Sequence, residues 1–113
     1  MLARSAQFLA AVLRRGSPVR ATVRGTSMWP TLSPGDRVRV DPVPPGWRPR
    51  PGDVVAATGP SGIVVHRVIS ASDGRVVTWG DNAAMADEPI GTEKIVGRVD
   101  PSRSRTRWFQ WGR

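Results

Sequence analysis

A serine and the single histidine of this 113-residue chain are the side chains best suited to covalent chemistry. Ser27 lies in residues 25–32, a loop-like stretch between two predicted strands, where its hydroxyl could act as a nucleophile once a base removes the proton. A serine alone decides little, because most loop serines only stabilise turns. His66 lies in an apolar strand, where alternation places it on one face with Val64 and Val68. Its neutral imidazole could be the base, or it could be a hydrogen-bonded structural side chain.

Two aspartates in residues 80–87 could support such a histidine. Asp81 belongs to a Gly-Asp-Asn sequence, and Asp87 follows it by six residues. A carboxylate bonded to the far ring nitrogen would fix the tautomer of the histidine and stabilise its protonated form. Taken alone, each aspartate would be expected to stabilise a turn or cap a helix.

The composition excludes several other kinds of site. The chain has no cysteine, which rules out a disulfide scaffold, a thiol nucleophile and a cysteine zinc site. A single histidine also excludes metal sites built from several histidines. We therefore expect chemistry without a metal or another cofactor. The formal net charge is +8, and all but one of the 17 Lys and Arg residues are arginines, a balance that suits an anionic partner surface.

Residues 2–13 have the pattern of a short amphipathic helix. Four apolar residues recur at helical spacing on one face, namely Leu2, Ala6, Leu9 and Leu13. Gly16 and Pro18 are expected to end the helix. The apolar face could pack on the domain, or it could lie on a membrane with Arg4, Arg14 and Arg15 near anionic lipid. No segment approaches the roughly 18 apolar residues of a spanning helix, so we expect a cytoplasmic protein, or one held peripherally at a membrane surface.

After residue 18 the chain has the pattern of short strands separated by dense turns. The predicted strands cover residues 19–24, 37–40, 53–58, 63–70, 75–79 and 94–100, with a hairpin turn at residues 59–62. Residues 81–91 have loop composition. This pattern predicts a mainly β fold of antiparallel sheets or a partial barrel.

We divide the chain into an N-terminal helix (residues 1–16), a core (17–100) and a tail (101–113). The tail combines arginines with Trp108, Phe109 and Trp111. Such a segment suits a membrane interface, and to a lesser degree nucleic acid. It could instead be a mobile tail, or one that folds back over an apolar groove.

The segments that carry Ser27, His66 and the two aspartates together resemble the signal peptidase I and LexA-like superfamily of serine peptidases. The first segment contains Ser-Met-x-Pro-Thr-Leu followed by Gly-Asp, similar to the nucleophile box of that family, and the Gly-Asp-Asn sequence is similar to its late acidic box. The resemblance extends from about Val23 to Val99. Most members use a lysine as general base, whereas residues 65–68 here read Val-His-Arg-Val, as in the ER-type, archaeal and sporulation-type branch with a histidine. The only lysine, Lys94, follows the acidic box and does not suit that role.

The resemblance implies a role for each candidate residue in these segments. Ser27 would be the nucleophile, His66 the general base and Asp87 the acidic partner of the histidine. Asp81 would be a structural or supporting acid. The fold implied is the β catalytic core of the superfamily, so residues 17–100 would form the peptidase core.

Four further residues would shape the oxyanion hole and the substrate site. The backbone N–H of the nucleophile is the natural oxyanion donor. Many signal peptidases add a serine hydroxyl two residues earlier, where this chain has Gly25, so Thr26 could supply the second donor. Met28 and Val64 would line shallow pockets for small substrate side chains.

We therefore predict a serine endopeptidase that removes a leader, signal or propeptide from a precursor protein. The substrate peptide would add to the sheet as an extended strand, and the protein would be free to contact an anionic membrane peripherally. The alternative is a non-catalytic module of the same fold that binds peptide or nucleic acid, although nucleic acid is the less favoured partner.

Overall fold

The computed structural model describes residues 5–103, which form one α-helix and seven β-strands. The elements are α1 (Ala6–Arg14), β1 (Val19–Thr22), β2 (Arg37–Pro42), β3 (Val54–Gly59), β4 (Gly62–Ser72), β5 (Arg75–Trp79), β6 (Ile90–Gly91) and β7 (Ile95–Val99). Short 3₁₀ turns at Thr92–Lys94 and Pro101–Arg103 flank the last strand. The tail predicted from residue 101 thus begins with a 3₁₀ turn, and its remaining residues, including Trp108, Phe109 and Trp111, lie outside the described residues.

The strands form one antiparallel sheet in the order β1-β2-β7-β3-β4-β5-β6, curled into a half-barrel. The predicted mainly β fold is thereby confirmed. Two tight hairpins fix the centre of the sheet: β3 and β4 pair up to Gly59 and Gly62, and β4 and β5 are joined by Asp73 and Gly74. Asp73 and Gly74 have φ angles of 52° and 75°, which is the backbone twist that two-residue hairpin turns require.

Helix α1 packs its apolar face onto the inner side of this sheet. Ser5 caps its first turn by accepting a hydrogen bond from the backbone N–H of Phe8, which satisfies one of the free donors of a helix N-terminus. Leu9 and Leu13 are buried in the main core, so these two residues of the predicted stripe pack on the domain and do not face a membrane. Among residues 5–103, no helix has the length and apolar character needed to cross a bilayer.

The two faces of the sheet bury separate groups of apolar side chains. The inner group joins the helix to alternate residues of five strands and includes Val38, Val40, Ala56, Ile63 and Val65. The outer group contains Val55, Ala57, Val68, Val76 and Ile95, partly covered by Val43 and Trp47. Because β-strand side chains alternate between faces, consecutive residues of β4 belong to different sides of the sheet.

One segment differs from the sequence prediction. Residues 81–91 were expected to be a loop, but Ile90 and Gly91 form β6 and pair with Val76 and Arg75 of β5. Two residues are too few to show an alternating pattern, so only the contact with β5 reveals this strand. Because β6 pairs with β5, residues 80–89 form a loop that begins and ends at β5. Asp87 lies in this loop, close to β5.

Candidate active site

The loop that carries Ser27 connects β1 to β2 and is closed at its base by backbone hydrogen bonds. The N–H of Val23 donates to the carbonyl of Asp36 (2.8 Å), and the N–H of Gly35 donates to the carbonyl of Val23 (2.9 Å). Met28 and Leu32 insert into the inner core and are 3% and 1% exposed. The loop is therefore anchored on both sides of Ser27, which is half-buried at the surface of the core.

The imidazole of His66 lies within hydrogen-bond distance of the serine hydroxyl. The distance from Ser27 Oγ to His66 Nε2 is 3.1 Å, and the His66 side chain is 10% exposed. In the tautomer with the proton on Nδ1, Nε2 is free to accept the hydroxyl proton. This is the geometry required of a serine and its general base.

Asp87, and not Asp81, contacts the other nitrogen of this imidazole. His66 Nδ1 donates to Asp87 Oδ2 at 2.5 Å, so the carboxylate selects the tautomer that leaves Nε2 as an acceptor. The same carboxylate oxygen accepts a hydrogen bond from Thr78 Oγ1 (2.7 Å). Ser27, His66 and Asp87 thus form a continuous chain of hydrogen bonds in the order nucleophile, imidazole and carboxylate, the arrangement of a catalytic triad.

Asp81 forms a separate cluster with Arg67 and with Thr31 of the serine loop. Arg67 donates to both carboxylate oxygens through Nε and Nη2, each at 2.9 Å, and the Thr31 hydroxyl donates at 2.6 Å. The hydrogen bonds from Arg67 hold the pKa of the Asp81 carboxyl below its ordinary value, against the opposing effect of burial and with a smaller contribution from Thr31. The cluster ties the serine loop to β4 at the residue next to His66.

We expect Asp81→Asn to lower the free energy of unfolding at pH 7 by about 1.5–3 kcal/mol, the range for a hydrogen bond to a charged group. A carboxyl whose pKa is lowered on folding stabilises the protein above its unfolded-state pKa. That contribution is lost as pH falls through the lower folded-state value. Urea denaturation at pH 7 and pH 3 should therefore show a difference between wild type and Asp81→Asn that shrinks in acid. Glu88→Gln is the control, because Glu88 is an exposed acid of the same loop. A difference that is equal at both pH values would contradict the ion-pair explanation.

Asn82 fixes the orientation of the peptide groups around the serine. Its side-chain Nδ2 donates to the carbonyl of Thr26 (3.1 Å), and its backbone N–H donates to the carbonyl of Ser27 (2.8 Å). In a planar trans peptide the carbonyl and the next N–H point in opposite directions. The contact with Thr26 therefore directs the Ser27 N–H away from Asn82, and no hydrogen bond of that N–H occurs within residues 5–103. The N–H is available to an oxyanion.

Gly80 lies close to both Ser27 and His66. A Cβ atom at this position would be 2.7 Å from the carbonyl oxygen of Ser27 and 2.9 Å from His66 Nε2. Real Cβ atoms do not approach backbone oxygen so closely, so this position requires glycine for space. The close approach brings the start of residues 80–87 against both the nucleophile and the base.

A small cavity opens beside Ser27, and two of the four predicted binding residues, Gly25 and Met28, line it. Its lining consists of Val23, Arg24, Gly25, Ser27, Met28, Leu32 and Val65. Gly25 has a φ of +79°, a left-handed conformation that disfavours a serine at this position. Thr26 is exposed, and its role as a second oxyanion donor stays a prediction.

Val64 is not part of this lining, although it was predicted to contribute to the substrate site. Val65 takes that place. The reason is the alternation of β4: Val65 faces the inner side with Ile63, whereas Val64 is on the side of His66.

Five residues around the site had no role assigned from sequence. They are Thr31, Arg67, Thr78, Gly80 and Asn82. Gly80 and Asn82 belong to the Gly-Asp-Asn sequence, so the motif itself could have indicated them, and Arg67 adjoins the histidine. Thr31 belongs to the Ser-Met-x-Pro-Thr-Leu sequence, which could have indicated it. Thr78 belongs to none of the motifs, and its partner Asp87 is nine residues away.

Within the described part of the chain, no group of three or more His, Asp or Glu side chains is arranged to hold a metal ion. The site therefore consists of a serine, an imidazole and a carboxylate, with a neighbouring ion pair.

Comparison with known proteins gives one family. The model of the family described as Peptidase S24-like matches residues 4–100, a range that includes all the side chains described above. A comparison with curated proteins gives no match.

Proposed function

The chain belongs to the Peptidase S24-like family, within the superfamily of LexA and signal peptidases, and on this premise we propose that it is a serine endopeptidase. The family match confirms the predicted resemblance to that superfamily. The observation that carries the proposed activity is the chain of hydrogen bonds from Ser27 through His66 to Asp87. A binding module without activity would have no need of that order of groups.

In the proposed reaction, Ser27 Oγ attacks the carbonyl carbon of the scissile peptide bond while His66 Nε2 accepts the hydroxyl proton. The N–H of Ser27 donates to the oxyanion of the tetrahedral intermediate. The imidazolium then protonates the leaving amine, and an acyl-enzyme remains on Ser27. Water, deprotonated by the same imidazole, hydrolyses this ester and restores the serine.

The two aspartates have different roles in this proposal. Asp87 holds the imidazole in the productive tautomer and stabilises its protonated form, because it accepts the Nδ1 proton. Asp81 acts on the position of the serine loop through Thr31 and Arg67. Asp87→Asn should therefore reduce cleavage directly.

The pairing of β4 supports a substrate bound as an extended strand. Residues 62–66 of this strand pair with β3, whereas β5 pairs with β4 only from Arg67 onward. Within residues 5–103, no strand pairs with the second edge of the first half of β4 beside the serine loop. A peptide that adds to this edge would gain backbone hydrogen bonds and present alternate side chains to the cavity.

The substrate class that we propose is a precursor protein with a leader, signal or propeptide. The cavity beside Ser27 is small and is closed by buried Met28, Leu32 and Val65. Such a cavity would accept the side chain that precedes the scissile bond only if that side chain is small.

We expect alanine or glycine immediately before the cleaved bond, and a loss of at least about 10-fold in kcat/KM when that residue is leucine or phenylalanine. The cost arises because a packed cavity wall must move to admit a larger group. A series of peptides that differ only at this residue measures the effect. Equal cleavage of the phenylalanine and alanine peptides would contradict the proposed pocket.

The activity itself is tested by mass spectrometry of a pool of precursor peptides incubated with the wild-type chain or with Ser27→Ala. Cleavage products are expected with wild type alone. If neither protein cleaves any peptide but both bind the same ones, the non-catalytic alternative is favoured.

Contact with an anionic membrane stays a prediction. Arg14 and Arg15 are exposed at the end of α1, whereas Arg4 and residues 104–113 lie outside the described residues.

A further inference from the structure

Thr78 is a buried polar residue that forms two hydrogen bonds with Asp87, one to its carboxylate and one to its backbone N–H. It lies in β5 and is 6% exposed. Its hydroxyl donates to Asp87 Oδ2 (2.7 Å), and its carbonyl accepts the backbone N–H of Asp87 (2.9 Å). Both the main chain and the side chain of Asp87 are therefore held by one residue of a regular strand.

Asp87 needs such support because its own segment provides little. Residues 80–89 contain no helix or strand, and the Asp87 side chain is 35% exposed. A rotation of this side chain would move Oδ2 away from His66 Nδ1 or replace it with the other oxygen. The Thr78 hydroxyl bonds to the same oxygen that accepts the imidazole proton, so it specifies which oxygen faces the ring.

The sheet places this hydroxyl in a fixed relation to the histidine. Thr78 pairs with Val68 in the β4–β5 ladder, and Val68 is two residues from His66 on the same strand. Side chains two residues apart on a strand share a face. The Thr78 hydroxyl and the His66 imidazole thus belong to two hydrogen-bonded strands, whereas the Asp87 carboxylate that contacts both belongs to a loop.

We propose that Thr78 is a positioning residue of the catalytic apparatus, whose hydroxyl holds the Asp87 carboxylate against His66. This inference rests on the proposed peptidase function and adds a fourth member to its hydrogen-bonded chain. The role requires the hydroxyl, and it does not require the methyl group of the threonine.

Two substitutions separate the hydroxyl from the packing of the side chain. Thr78→Val keeps the branched shape and removes the donor, and Thr78→Ser keeps the donor and removes the methyl group. We expect Thr78→Val to lower kcat by about 10- to 100-fold, the effect of losing a hydrogen bond to a charged group. We expect KM to change by less than about twofold, because Thr78 lies in β5 and the proposed substrate adds to the first half of β4. Thr78→Ser is expected to restore kcat to within about threefold of wild type.

A spectroscopic measurement tests the same contact without any substrate. His66 is the only histidine of the chain, so a low-field Nδ1–H proton resonance in the NMR spectrum has one possible origin. We expect this resonance in wild type and in Thr78→Ser, and we expect it to broaden or move in Thr78→Val as Asp87 becomes free to rotate. Thermal unfolding of each variant shows whether the fold is retained.

The outcomes distinguish the inference from the function on which it rests. Equal losses of kcat in the valine and serine variants, or an unchanged resonance and kcat in Thr78→Val, would overturn the positioning role. If the wild-type chain cleaves no peptide while the resonance still responds to Thr78→Val, the contact is real and the peptidase function is wrong.

Discussion

Replacing His66 by alanine is expected to lower kcat by about four orders of magnitude or more, close to the loss caused by Ser27→Ala. Among the described residues, His66 is the base that contacts the serine: it is the single histidine of the chain, and its Nε2 is 3.1 Å from Ser27 Oγ. Without the imidazole the hydroxyl keeps its proton and the leaving amine has no acid. Single-turnover cleavage of a peptide identified by mass spectrometry measures the loss.

Two controls make this experiment specific. The double variant Ser27→Ala with His66→Ala should be no slower than either single variant, because the members of one catalytic unit fail together. Lys94→Gln tests the lysine-based mechanism of other superfamily members and should cleave like wild type. A His66→Ala protein with near-wild-type cleavage, or an inactive Lys94→Gln protein, would overturn the assignment of the base.

Replacing Gly80 by alanine is expected to reduce kcat/KM by about 100-fold or more, since displacement of reacting groups by about 1 Å has effects of this size. The added Cβ would be 2.7 Å from the carbonyl oxygen of Ser27 and 2.9 Å from His66 Nε2. To relieve these contacts, the serine loop or the imidazole must move, and the hydrogen bond between Ser27 and His66 is then lengthened or lost.

The matched control is Gly59→Ala in the β3–β4 hairpin. A Cβ at Gly59 meets its nearest atoms at 3.7 Å and 3.9 Å, ordinary contact distances. Both glycines have φ angles outside the left-handed region, so the backbone cost of alanine is similar in the two variants. Circular dichroism should show a folded protein in both cases, and cleavage should be lost only in Gly80→Ala. Retention of more than half of the activity in Gly80→Ala would show that the site tolerates the added methyl group.

Several features of the fold could be predicted from local sequence. The apolar spacing of Leu9 and Leu13 predicted a helix whose buried face the structure confirms. The turn residues 59–62 predicted the hairpin between β3 and β4, whose strands pair up to Gly59 and Gly62. These predictions succeed because helix faces and tight turns depend on residues close together in the chain.

Local sequence could not predict which of the two aspartates contacts His66. Asp81 and Asp87 are six residues apart in one loop-like segment, and either could have been placed beside a histidine. The structure separates them: Arg67 and Thr31 bind Asp81, and β6 returns the chain so that Thr78 binds Asp87 beside His66. A two-residue strand and a single threonine hydroxyl decide this, and neither produces a recognisable sequence pattern.

The sequence by itself determined the class of fold, because short alternating strands and dense turns indicate a mainly β domain. Its composition excluded thiol and multi-histidine sites, and its motifs proposed one serine, one histidine and two acids as the candidate site residues. Only the tertiary structure decided which groups meet. Ser27 and His66 are 39 residues apart, and His66 and Asp87 are 21 apart. Contacts at such separations depend on the register of antiparallel strands and on which face each side chain occupies. A shift of one residue in β4 would place Val65 or Arg67 in the position from which His66 contacts the serine.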